Sequence, residues 1–180
     1  MKIILFISAF FIFSCNLDND LIDYYNNCDD TEIEFKTISI GLKNNLDYLP
    51  MRVFVAETQK QHERGLMCIR NLPEEVDGMI FNYELEQDRA FWMYKTYIPL
   101  SIIYFDKNGT AVSKSNMLPC KRDFFESKNS HKQRCYLESR NYSPTKNYIN
   151  ALEISKDNKF IRKIMSSKET EDIQLIINYW

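Results

Sequence analysis

Glycine is scarce in this chain, with four in 180 residues. A phosphate cradle needs clustered glycines opening onto a helix N-terminus, and Gly41, Gly65, Gly78 and Gly109 are too far apart to build one. Histidine is scarcer still: His62 and His131 are isolated and no CxxC pair occurs, so zinc-ligand spacing is missing. His62 falls in a polar helical stretch and His131 in a charged loop, so both read as solvated rather than catalytic. No Ser/His/Asp order stands out, and Cys68 is a conceivable nucleophile with no histidine placed to activate it. Neither a metal nor a cofactor is expected. Long apolar runs are also lacking: the stretch Ile3 to Phe13 is well short of the ~20 residues a membrane-spanning helix requires.

That short run, in "MKIILFISAFFIFSC", has the charge and length of a signal-peptide core, with Lys2 ahead of it and Ser14 directly before Cys15. It resembles the lipobox of bacterial lipoproteins, which implies cleavage after residue 14 and acylation (palmitate) of Cys15. The chain is then exported and anchored by lipid to the cell envelope, in the outer membrane or a periplasm-facing membrane. A plain secretory signal beside a chance cysteine is the alternative. Asn16 differs from the aspartate that marks inner-membrane retention in enteric lipoproteins.

Four segments follow: a signal peptide (1–14), an acidic, asparagine-rich tether (15–32), one β domain (33–165) and a C-terminal helical or strand extension (166–180). Loss of Lys2 leaves 22 Lys+Arg against 25 Asp+Glu, a mature charge near −3. That balance argues against nucleic acid, whose binders concentrate positive charge, and against an electrostatic membrane signal besides the lipid. Four further cysteines, Cys28, Cys68, Cys120 and Cys135, allow three pairings in an oxidising compartment. Cys120 with Cys135 is favoured, because that bond closes a long polar loop. Free thiols, with Cys68 in an apolar setting, are the other outcome.

"IEFKTISI", "MRVFVAE" and "MIFNYEL" have strand composition. Between them Thr58 and Gln61 form a capping box, and Gly65 ends the helix it opens, about Gln59 to Arg64. A strand is expected from Ala90 to Thr96, interrupted by Pro99, and "LSIIYFDKNGTAVSKSNM" reads as a hairpin turning at Asn108 and Gly109. "RCYLES" and "YINALEIS" look like strands, the latter leading through Asp157 and Asn158 into "KFIRKIM". Ser166 and Glu169 suggest a capped terminal helix, and a final strand fits nearly as well. The expected fold is mainly β: an antiparallel sandwich or half-open barrel with one short helix.

The ordered motifs "VFVAETQKQHERGLM", "GMIF", "FWMYKT", "IPLSIIYFDKNGTAV", Pro119 and "YLE" at Leu137 resemble the bacterial and archaeal family named domain of unknown function 192. The resemblance covers about Val53 to Ile154 and implies a compact β-sandwich or half-barrel with no established activity. Against the family pattern, Lys95 stands where asparagine is usual before the motif threonine, and Ser101 where aspartate follows I-P-L. Asn141 lies near a lost family glycine and suits a left-handed turn.

The span Arg89 to Gly109 concentrates six aromatic residues. As a strand it places Phe91, Met93 and Lys95 on one face and Trp92, Tyr94 and Thr96 on the other. One reading is a central core strand. The other opens its polar end into a shallow pocket, where Arg64, Arg70, Lys95, Thr96 and Ser101 offer donors to an anionic or sugar ligand and Trp92 stacks on it. The functional expectation is a lipid-anchored module binding a small molecule, glycan or protein. The alternatives are a hydrolase or carbohydrate-modifying enzyme using that pocket, and a structural envelope protein without ligand.

Overall fold

The computed structural model describes residues 33–45, 47–167 and 169–177. The segments expected to be signal peptide and tether, with Cys15 and Cys28, lie outside these residues. Seven strands, β1 (Lys36–Asn44), β2 (Asp47–Ala56), β3 (Gly78–Gln87), β4 (Leu100–Phe105), β5 (Ala111–Met117), β6 (Tyr148–Ser155) and β7 (Ile173–Ile177), form one sheet ordered β5-β4-β6-β3-β2-β1-β7. The sheet curls into a half-barrel, so the chain is mainly β as its sequence indicates. It is mixed rather than wholly antiparallel, because β2 and β3 run parallel. A parallel pair needs a crossover, and here it is helix α1 (Gln59–Arg64) with the loop that follows. The Thr58 hydroxyl accepts from the Gln61 amide, the Gln61 side chain accepts from the Thr58 amide, and Gly65 leaves the helix at φ 47°.

The curl brings the two outer strands together at one point. The hairpin between β4 and β5 turns where expected, with Asp106 Oδ1 accepting from the amides of Asn108 and Thr110 at 2.9 Å each. Gly109, at φ 77°, then offers its carbonyl to the Leu175 amide of β7 at 2.8 Å. A Cβ at Gly109 would stand 2.6 Å from the Leu175 oxygen, so the position is glycine for backbone angle and for close approach. The segment after residue 166 therefore contributes a strand, and β7 pairs antiparallel with β1.

Three stretches differ from their sequence reading. "RCYLES" is the end of a helix, α2 (Lys128–Glu138), which Ser127 caps and a 3-10 turn (Ser139–Tyr142) follows. Only His131 and Cys135 are buried on it, so the helix carries no apolar stripe for a periodic reading to find. Asn141 sits in that 3-10 turn and is not among the left-handed residues, Asn45, Cys68 and Lys95. "KFIRKIM" forms α3 (Lys159–Ser166), capped by Asn158, whose side chain accepts from the amides of Phe160 and Ile161. Finally, Ala90 to Thr96 is not a strand: it is an irregular cover laid over the sheet, with an isolated bridge of Tyr94 to Cys120 outside the seven strands. The left-handed turn at Lys95 (φ 55°) is incompatible with a continuing strand.

Two separate clusters fill the two faces of the sheet. One is aliphatic and sealed by α3, with Ile161 and Ile164 against Ile40, Leu42, Val53, Ile103 and Leu152. Lys114 of β5 holds that helix end by donating to the carbonyls of Ile164 (2.6 Å) and Ser167 (2.7 Å). The other face carries Met79, Phe81, Ile102, Tyr104 and Tyr148 beneath Phe91, Met93 and Cys135.

Candidate functional site

The aromatic face opens into a cavity of about 520 Å³. Its wall joins four elements: Gln59, His62 and Glu63 from α1, Tyr83 and Gln87 from β3, Arg89 through Trp92 from the cover, and Tyr148 from β6. Phe91 is fixed edge-on against Phe81 (4.7 Å between centroids) and Tyr104 (5.9 Å), and Trp92 lies 5.2 Å from Tyr94. The polar rim holds one carboxylate, Glu63, to which Gln59 donates at 2.9 Å, and one guanidinium, Arg89. Aromatic walls with a few amides and nearly balanced charge suit a neutral, polar, ring-shaped ligand better than an anion.

His62 is not solvated. Its Nε2 lies 2.9 Å from the Ala56 carbonyl and 3.0 Å from that of Asn82, so it must carry the proton and donate, while the ring stacks 4.2 Å from Tyr83. The imidazole fastens α1 to the sheet and positions the cavity wall. Burial raises the phenols of Tyr104, beneath Phe91, and of Tyr148, in the cavity wall, well above their ordinary range, and Tyr83 is pushed up to about 12 by burial and by the neighbouring Glu153. Tyr148 donates to the Arg89 carbonyl at 2.9 Å and Tyr104 to that of Tyr142 at 2.6 Å. Glu153 sits in register between Met79 and Ile102, is 4 % exposed, and burial pushes its carboxyl up to about 8.

The residues singled out in the sequence do not form one site. Trp92 lines the cavity, and none of the described cavities is lined by Arg64, Arg70, Lys95, Thr96 or Ser101. Arg64 ends α1 and Arg70 is exposed in the crossover. Thr96 is buried, with its amide donating to the Met93 carbonyl. Ser101 is buried at 1 % and donates to Asn116 Oδ1 across the β4–β5 ladder, on the face of Ile103 rather than that of Met93. Lys95 sits over the Tyr94 ring, 5.7 Å from its centroid, and its carbonyl accepts from the amide of Cys68, itself left-handed at φ 68°. The asparagine usual at that position thus matches a backbone requirement, since asparagine tolerates this conformation better than lysine. Sequence reasoning missed Gln59, Tyr83, Gln87 and Tyr148, because nothing local marks strand residues that only the curl of the sheet brings together.

Cys120 and Cys135 form the expected disulfide, and Cys68 is also disulfide-bonded, which removes it as a nucleophile. His131, expected in solvent, is 2 % exposed and contacts the Cys120 carbonyl through Nε2 at 2.8 Å. The ligand atoms of Cys120, His131 and Cys135 lie within 4.8 Å of one another, but two of the three are the sulfurs of the disulfide. In that state they supply no thiolate to a metal.

The model of a family described as Uncharacterized ACR, DUF192, matches residues 42–155, more than half the chain. The chain belongs to the DUF192 family. Its half-barrel is similar to two solved structures. One is a "putative transcription regulator" from Sinorhizobium meliloti 1021 (18 % identity, TM-score 0.59, covering 80 % of this chain and 95 % of that one). The other is a protein of unknown function from Novosphingobium aromaticivorans DSM 12444 (17 % identity, TM-score 0.54, covering 79 % and 85 %). At such identities the likeness is one of fold. No curated protein matches this DUF192 chain.

Proposed function

We propose that this DUF192 protein is an exported, lipid-anchored binding module whose aromatic cavity holds a sugar-like ring. The observation that carries the binding reading is the cavity wall itself: Tyr83, Phe91, Trp92 and Tyr148 around a rim of amides with one charge of each sign. Binding is favoured over hydrolysis because the lining holds a single carboxylate, whereas most glycoside hydrolases place two across the scissile bond. Anchoring rests on the signal-peptide core and Cys15, and the −3 charge of the mature chain disfavours a nucleic-acid partner.

Two measurements test this. Titration of the protein with neutral mono- and disaccharides, followed by calorimetry, should show saturable binding that Trp92→Ala weakens by about tenfold, the worth of one lost stacking surface. Absence of any saturable response among such ligands would remove the sugar reading. Cys15→Ala should abolish incorporation of a fatty-acid label into the protein, and labelling that persists in this variant would end the lipoprotein reading.

A further inference from the structure

We infer that the loop between Cys120 and Ser127 is a rigid membrane-docking tip that inserts Phe124 and Phe125 into an anionic lipid surface. Phe125 is 95 % exposed and Phe124 55 %, with the two rings edge-on at 4.8 Å. Apolar rings so fully in water usually sit on mobile loops, yet this one is fastened at its base and through Glu126. The disulfide to Cys135 closes its base. Arg134 grips Glu126 with two nitrogens, Nε to Oε1 at 2.9 Å and Nη2 to Oε2 at 2.8 Å, and also donates to the Lys121 carbonyl at 2.6 Å. Within the turn the Asp123 amide donates to Glu126 Oε2 and the Glu126 amide to the Asp123 carbonyl. These bonds hold the turn's shape, and the two rings are the apolar groups it presents outward.

Charge selects lipid as the occupant. Residues 118–140 contain six Lys+Arg and three Asp+Glu, a net +3 in a chain of −2, so the remainder carries −5. The balanced total thus conceals a local basic patch. Arg134 is engaged with Glu126 and Glu138, and Lys132 reaches over the Trp92 ring at 6.0 Å; the exposed lysines on either side of the phenylalanines in the chain are Lys121 and Lys128. Paired aromatics set between lysines match a surface with acyl chains below and phosphates above. The inference does not depend on the sugar cavity or on acylation of Cys15.

The test uses the full chain with Phe125→Trp as a local reporter, read as the difference from the unsubstituted chain so that Trp92, Trp180 and any anchor cancel. With vesicles of phosphatidylglycerol and phosphatidylcholine, the reporter emission should shift to the blue and be quenched by lipids brominated on their acyl chains. Lys121→Glu should require about tenfold more lipid for the same quench. No shift and no quench would overturn the inference. Equal quenching by pure phosphatidylcholine would overturn the role of the anionic headgroup. A shift that grows with protein concentration in the absence of vesicles would assign the tip to a second copy of the chain instead.

Discussion

The two faces of the half-barrel solve the same packing problem with different chemistry. The face under α3 is aliphatic, closed by one amphipathic helix and capped by Lys114. The opposite face is covered by irregular chain and α2, and there the structure concentrates what a minimal core would avoid: buried phenols, a buried carboxyl, two left-handed residues, a disulfide and the cavity. Strain and buried polarity persist only where surrounding structure over-determines them, and they gather at functional sites. One face holds the fold, and the other is where a ligand would be met.

The largest expected effect that separates the faces comes from Glu153. Its folded carboxyl is pushed up to about 8 against an ordinary 4.5, so the fold keeps the proton while the unfolded chain loses it. Stability is then full below pH 4.5, falls as pH rises to about 8, and is flat beyond. The loss is on the order of 4 kcal/mol. Urea unfolding across that range should show the slope, and Glu153→Gln should flatten it and make the variant the more stable protein at pH 8. Glu126 works in the opposite sense: the hydrogen-bonded Arg134 guanidinium holds it down to about 2, so its contribution is lost as pH falls from 4.5 towards 2. Together the two carboxyls place a stability maximum near pH 4.5.

Next in size is the disulfide of the aromatic face. Its two cysteines are 15 residues apart, and replacing both with serine should cost about 3 kcal/mol by thermal unfolding while leaving the α3 face intact by hydrogen exchange. Equal loss of protection on both faces would show that they are one cooperative unit. The smallest effect is a gain: Lys95→Asn, at φ 55°, should stabilise by about 0.5–1 kcal/mol, because the amide suits a left-handed backbone that lysine resists. No gain would mean that the lysine ammonium over Tyr94 offsets the strain.

Sequence alone revealed the elements whose signals are local. The Thr58–Gln61 box, Gly65, and the Asn108–Gly109 hairpin each depend on contacts within five residues, and each stands where the chain implies it. The aromatic run reads as a strand because an extended cover and a strand share the same apolar composition, and the backbone angle at Lys95 tells them apart. α2 was invisible for a related reason: it is held by a disulfide, a cap and an arginine fork rather than by a periodic stripe. Of the cavity, Trp92 was legible, and Tyr83 and Tyr148 were not, since they meet only through the β3–β6 pairing.

The contact between Gly109 and Leu175 has a consequence for incomplete chains. A ribosome that stops, or a protease that cuts, before β7 leaves a sheet whose β1 and β5 margins both offer unpaired amides and carbonyls to any passing strand. The few residues around Leu175 therefore act as a quality mark: with them the β1 margin is paired and the hairpin tip is held, and without them the fragment is primed to aggregate.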